Sequence, residues 1–163
     1  MNQTTYPGFG EIISRGEITW PEYWHPVNSR VHGCLNGIGG WFQRGILGIQ
    51  IDPEVPGYKH FLIKPAFMDS LQWANGHHIS PYGSIAVSWE KTKDAYILEF
   101  DIPENTSASV FIPANAEIDI KESARESSKA LQDAHGVSFI GMENGNAVLN
   151  VGSGHYKFVS KHE

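Results

Sequence analysis

The sequence predicts a mainly β protein: an antiparallel β-sandwich of jelly-roll type preceded by a short helical segment. Before residue 50, apolar residues recur at steps of three and four. After it they alternate with polar ones, in short runs separated by turn residues. Of the 163 residues, 40% are hydrophobic and 18% charged, a balance that supports a packed core and argues against disorder.

The first element, "GFGEIISRG", reads as a short helix closed by Gly16. The stretch "GEITWPEYWHPVNSRVHG", residues 16–33, follows as an inter-helix loop, because Pro21 and Pro26 exclude a regular helix. It sets Glu22 between Trp20 and Trp24, with His25 and His32 beyond. A second helix is expected over "SRVHGCLNGIGGWFQRGIL", where Val31, Leu35, Ile38, Phe42 and Ile46 share one face. Asn28 or Ser29 would cap its start and Gly48 would end it in the left-handed conformation. Gly33, Gly37, Gly39 and Gly40 each cost such a helix about 1 kcal/mol relative to alanine, so it needs close packing.

"DPEVPGYKHFLIKP" is a connector leading into a strand at Phe61–Ile63. "SIAVSWE" and "AYILEFDIP" flank "KTKD" as a hairpin, and "ASVFIP" follows. "ENGN" turns a last hairpin within "GVSFIGMENGNAVLNVGSGHYKFVSK". Residues 119–135 are polar and read as loop or short helix. Trp41 reads as core, and Trp73 and Trp89 as sandwich packing. Seven or eight short strands in about 100 residues indicate the antiparallel sandwich. The divisions expected are residues 1–50 helical, 51–66 linker and first strand, and 67–163 sandwich.

Composition excludes several functions. A net charge of −6 with dispersed Lys and Arg argues against a nucleic-acid partner. Cys34 is the only cysteine, which removes intrachain disulfides and thiolate metal clusters and reads as buried filler. The start "MNQTTYPGFG" lacks the basic and apolar regions of a signal peptide, and no apolar run approaches a membrane span. His77 and His78 point to opposite faces of a strand, so no metal is expected there, nor at His25, His32 and Glu22, whose spacing fits no established site. "NTS" at 105–107 fits a glycosylation acceptor, a pattern short enough to arise by chance. No cofactor is expected.

Two helices cannot bury their apolar side alone, so the helical segment belongs to a larger helical assembly. Here "YPGFGEIISRGEITWPEYW" resembles the late barrel segment of bacterial α-L-rhamnosidases, glycoside hydrolase family 78. "SRVHGCLNGIGGWFQRGILGIQIDPEVPGYKHFLIKP" is similar to that family's next helix and its exit into the C-terminal domain. The elements that match are Ser29, His32, Ile38-Gly39, Trp41, Gly48-Ile49, Asp52-Pro53, Pro56-Gly57 and His60 to Pro65. "SPYGSIAVSWE" resembles a sandwich strand of the same family. The likeness is dense over residues 6–66, thinner over 67–113 and faint beyond. Pro21, Val31, Asn36 and Gly40 depart from the family pattern.

The resemblance implies the end of an (α/α)6 barrel followed by a C-terminal β-sandwich. It implies inverting removal of terminal L-rhamnose from a glycoside. Glu22 aligns with the general base, and Trp20 and Trp24 would offer stacking surface. His32 aligns with a histidine that faces the sugar. The acid-bearing segment lies upstream in the family, so this chain is expected to be incomplete and inactive alone. It also implies a bacterial cytoplasmic or periplasmic location. Beside this stand plainer readings: Glu22 as a loop carboxylate paired with Arg15 or Arg30, and His32 as a packing histidine. Two alternatives to the hydrolase fragment remain open. One is a carbohydrate-binding or accessory sandwich. The other is an interaction module that completes another chain's barrel, or makes a homo-oligomer, through residues 28–48.

Overall fold

The computed structural model describes residues 3–25, 29–33, 37–123 and 128–161. The chain divides into two compact units, Met1–Trp41 and Phe42–Glu163.

In the first unit, helix α1 spans Phe9–Ser14. It stops at Gly16, whose φ of 78° is the left-handed conformation that glycine adopts without a Cβ penalty. Gly16 N–H bonds to the Ile13 carbonyl and Glu17 N–H to that of Ile12, the paired closure of a Schellman motif. The second helix is shorter than its periodicity suggests. Helix α2 covers only Gly37–Trp41, and in the second unit Phe42–Ile46 form a π-helical turn. The Ser29 hydroxyl donates to the Val31 carbonyl at 2.7 Å, which makes a local turn rather than a helix cap. His32 N–H bonds to the Trp20 carbonyl instead of to a preceding helical turn. Glycine-rich sequence is the physical reason: each glycine weakens a helix whose nucleation is already costly. Asn28, Leu35, Asn36, Pro26 and Cys34 lie outside the described residues.

The second unit is the expected β-rich sandwich. Its strands are β1 (Ile49–Ile51), β2 (His60–Ile63), β3 (Trp73–Ser80), β4 (Gly83–Lys91), β5 (Ala95–Pro113), β6 (Ile120–Glu122), β7 (Lys129–Ala130), β8 (Val137–Glu143) and β9 (Asn146–Lys161). The predicted strands "AYILEFDIP" and "ASVFIP" prove to be one, β5, 19 residues long. It pairs along both halves with β9. At the bend, Ile102 faces Gly154 and Ser107 faces Gly152, so Pro103–Thr106 stand opposite Ser153 alone. Pro103 lacks an N–H for the ladder, Asn105 has φ 59°, and the Thr106 hydroxyl donates to the Pro103 carbonyl at 2.7 Å.

The first half of β5 carries β4 and then β3; the second half carries β2 and then β1. β9 adds β6 and β7 at one end and β8 at the other. Inward residues of both arms join one hydrophobic cluster, from Val87, Trp89, Leu98 and Phe158 to Phe61, Val110, Leu149 and Val151. All pairings are antiparallel except β2 with β5, which is parallel. The ring nitrogens of His60 lie 2.8 and 3.0 Å from the hydroxyls of Ser107 and Ser109, fastening that pair. Residues 119–135, read as loop or helix, hold β6, β7 and a 3-10 turn at Leu131–Asp133. In the last hairpin, Asn144 and Gly145 have φ 48° and 75°, the signs of a type I′ turn.

One expectation fails in the sheet. Trp73 is 62% exposed, on the outer face of β3, an edge strand, whereas Trp89 is buried as expected.

His78 packs on the Tyr58 ring at 4.4 Å, and burial holds its pKa below the ordinary histidine value. In the unfolded chain a histidine takes up a proton near pH 6.5. The folded state resists that proton, so stability is full above that pH and falls as pH drops through it. Urea titrations from about pH 7 to about pH 5 are expected to show a steeper loss for the native chain than for His78→Gln.

Candidate functional site

The first unit folds its loop back on itself. The Trp20 carbonyl accepts the His32 N–H at 2.8 Å, and Glu22 N–H donates to the Ser29 carbonyl at 3.1 Å. The Thr19 hydroxyl donates to the Arg30 carbonyl alongside them. Residues 19–22 and 29–32 thus run side by side, bringing Trp20, Glu22 and His32 onto one backbone ladder.

Helix α1 anchors the other side. Phe9, its first residue, meets Trp20 edge-on at 4.9 Å and Trp24 at 5.5 Å. Tyr6 stacks on His25 at 5.0 Å. Arg15 pairs with Glu11 at 3.1 Å, and its other terminal nitrogen donates to the Trp24 carbonyl at 2.8 Å. The second oxygen of Glu11 is buried without a hydrogen-bond partner among the described residues. Arg30 pairs with Glu17 at 3.7 Å. Neither arginine is therefore matched to Glu22, the pairing that the plainer reading requires. Among the described residues, no ion pair to Glu22 is found.

A hollow of about 250 Å3 opens between helix and loop, lined by Phe9, Ile12, Pro21, Glu22, Tyr23 and Trp24. Glu22 and Trp24 face it; Trp20 and His32 are half-buried and do not line it. Phe9 and Tyr23 are wall residues that the sequence did not single out. The signal was present for Phe9, an aromatic at the start of a short helix one turn before buried Ile12. An exposed carboxylate beside aromatic walls can accept a hydrogen bond from a water or a hydroxyl that rests against an apolar surface. Among the described residues, no three His, Cys, Asp or Glu side chains converge as a metal would require. No helix among them is long and apolar enough to cross a membrane.

Residues 48–127 match the family model of the bacterial alpha-L-rhamnosidase C-terminal domain. These residues are a C-terminal domain of the bacterial α-L-rhamnosidase family. An α-L-rhamnosidase of Streptomyces avermitilis is 28% identical over 97% of this chain and 15% of its own length. One from Alteromonas sp. (strain LOR) is 34% identical over 68% of this chain and 13% of its own length. The crystal structure of the Streptomyces avermitilis α-L-rhamnosidase complexed with L-rhamnose superposes with a TM-score of 0.76 at 27% identity, over 98% of this chain and 15% of that one. The chain spans between 13% and 18% of the length of the curated α-L-rhamnosidases it matches.

The family match begins at Gly48, where the helical segment gives way to β1. Gly48 has φ 77°, and a Cβ there would lie 2.2 Å from Pro65 N and 2.3 Å from the Lys64 carbonyl carbon. The Lys64 N–H also bonds to the Gly48 carbonyl at 2.9 Å. A Gly-Ile pair in this α-L-rhamnosidase segment thus has a steric cause: only glycine admits the returning strand.

Proposed function

We propose that this chain contributes to the inverting hydrolysis of terminal L-rhamnosides, as the end of a catalytic (α/α)6 barrel and the sandwich that follows it. In this reading residues 1–50 are the barrel's last helices, 51–66 the passage out of it and 67–163 the accessory sandwich. Glu22 is the general base. It deprotonates a water on the sugar face opposite the leaving group, while a second carboxyl, roughly 6.5–9.5 Å away, protonates the departing oxygen. That second carboxyl comes from a segment other than these 163 residues, so the chain by itself is inactive. Trp24 offers apolar surface to a 6-deoxy sugar in the hollow. Trp20 and His32, beside it on the loop's ladder rather than in its lining, extend that surface and supply a hydrogen bond to a hydroxyl beyond it. The observation that carries the reading is Glu22 exposed at the aromatic hollow while Arg15 and Arg30 are held by Glu11 and Glu17.

The exposed apolar side chains of the first unit support the same reading. Ile18 is 97% exposed, and Ile13, Val31 and Trp41 are about half exposed. Such a concentration suits a surface covered by the remainder of a larger hydrolase. A homo-oligomer formed through residues 28–48 is the other occupant, and sedimentation at high concentration separates the two.

Release of rhamnose from an aryl α-L-rhamnoside tests the reading. The chain alone is expected to give none. A longer protein carrying an upstream barrel is expected to release β-L-rhamnose first, and Glu22→Gln to lower its kcat by roughly 10²–10⁴-fold. Full activity in that variant would overturn the assignment of Glu22.

A further inference from the structure

The outer face of the sheet arm formed by β3, β4, β5 and β9 carries a trough that the rhamnosidase reading does not use. Two adjacent cross-strand rows build it. In one, His77, Ala86, Asp101 and His155 are successive partners; in the next, Asn75, Ser88, Glu99 and Lys157. Ile85, Val87 and Trp89 point inward, so strand alternation turns Ala86 and Ser88 outward. These are the shortest side chains in their rows, with longer ones on both sides. The result is a hollow of about 280 Å3 running along β4. One row further, exposed Trp73 stands at its end, opposite Glu90.

The walls are polar, planar and already oriented. His155 lies with Nδ1 2.8 Å from Asp101 and Nε2 3.5 Å from Glu99, and Lys157 Nζ lies 3.2 Å from the other Glu99 oxygen. Two carboxylates repel an anion. A metal is disfavoured too, because no suitable group of three ligands converges among the described residues. A neutral polyol fits: carboxylates accept from adjacent hydroxyls, while the Asn75 amide both donates and accepts. The Trp73 ring offers an apolar platform to the C–H face of a sugar ring.

We propose that this trough binds a single neutral sugar ring, with Glu99, Asp101 and Asn75 taking vicinal hydroxyls and Trp73 stacking at the open end. The site is built wholly from the second unit and does not depend on the role of Glu22.

An amide-resolved NMR titration of the whole chain tests it, with L-rhamnose, D-mannose and D-glucose as probes. At least one sugar is expected to give saturable shifts at Asn75–His77, Ala86–Ser88 and Glu99–Asp101. Ser88→Phe, which fills the trough from an exposed position, is expected to abolish them with urea stability kept. Trp73→Ala is expected to weaken binding by several-fold to about tenfold. Glu22→Gln is expected to leave it unchanged, so failure here and failure of the general-base reading are told apart. The proposal is overturned if none of the three sugars gives saturable shifts at tens of millimolar, if the shifts cluster at Trp20 and Trp24, or if Ser88→Phe leaves them intact.

Discussion

Gly48→Ala is expected to cost on the order of 3 kcal/mol or more, enough to leave much of the chain unfolded at ambient temperature. Two penalties add at this position. The left-handed conformation charges any residue with a Cβ about 1–2 kcal/mol. The new Cβ would also sit 2.2 Å from Pro65 N, against backbone that cannot rotate away. Moving that backbone breaks the Lys64 N–H to Gly48 carbonyl bond, and with it the register of β1 on β2. Gly57→Ala is the control. Its φ is 98° but nothing lies within 4 Å of its added Cβ, so it carries the conformational penalty without the collision. Urea denaturation of the two variants side by side reads the difference. Equal midpoints would mean that the contact at Pro65 relaxes freely.

Trp89→Ala ranks with it, at about 3–5 kcal/mol for the lost aromatic packing. Trp89 is 1% exposed and meets Phe67 edge-on at 5.1 Å. Its indole N–H donates to the Ile46 carbonyl at 2.7 Å, so the side chain also ties the π-helical turn to the sandwich core. Removing the donor leaves that carbonyl without its partner, which adds about 1 kcal/mol or more. Trp89→Phe separates the two contributions: it keeps most of the apolar contact and is expected to lose about 1–2 kcal/mol. Fluorescence-detected urea titration gives both values. A Trp89→Phe variant as unstable as Trp89→Ala would assign the effect to the hydrogen bond alone.

The hairpins were legible in the sequence because their turn chemistry is local. "KTKD" and "ENGN" state their conformations in four residues, and Asn144 and Gly145 take the φ values that such a turn needs. The bend in β5 was not legible, since "PENTS" reads as an ordinary loop between two strands. Only the continuous partner, β9, on both sides makes it one strand. Trp73 reads as core in the sequence because the phase of β3 is ambiguous. Trp73, Asn75, His77 and Ile79 are as mixed in polarity as Ala74, Gly76, His78 and Ser80, so alternation alone does not say which set faces inward. The helical periodicity from Val31 to Ile46 was genuine, but periodicity says which face would be apolar and not whether glycines let the helix form. At the candidate site, the aromatic neighbours of Glu22 were visible in the sequence. The return of residues 29–32 alongside 19–22, which sets His32 beside Trp20, depends on hydrogen bonds across the loop that no spacing rule encodes.

The parallel seam between β2 and β5 has a temporal consequence. His60 finds Ser107 only 47 positions later, so β2 waits through the synthesis of two further strands before its partner leaves the ribosome. Until then the β1–β2 ribbon is a two-stranded piece with little stability of its own. The join next to the helical segment therefore sets late in vectorial folding, after the distal half of β5 has emerged, and chaperones would meet the nascent chain with that seam still open.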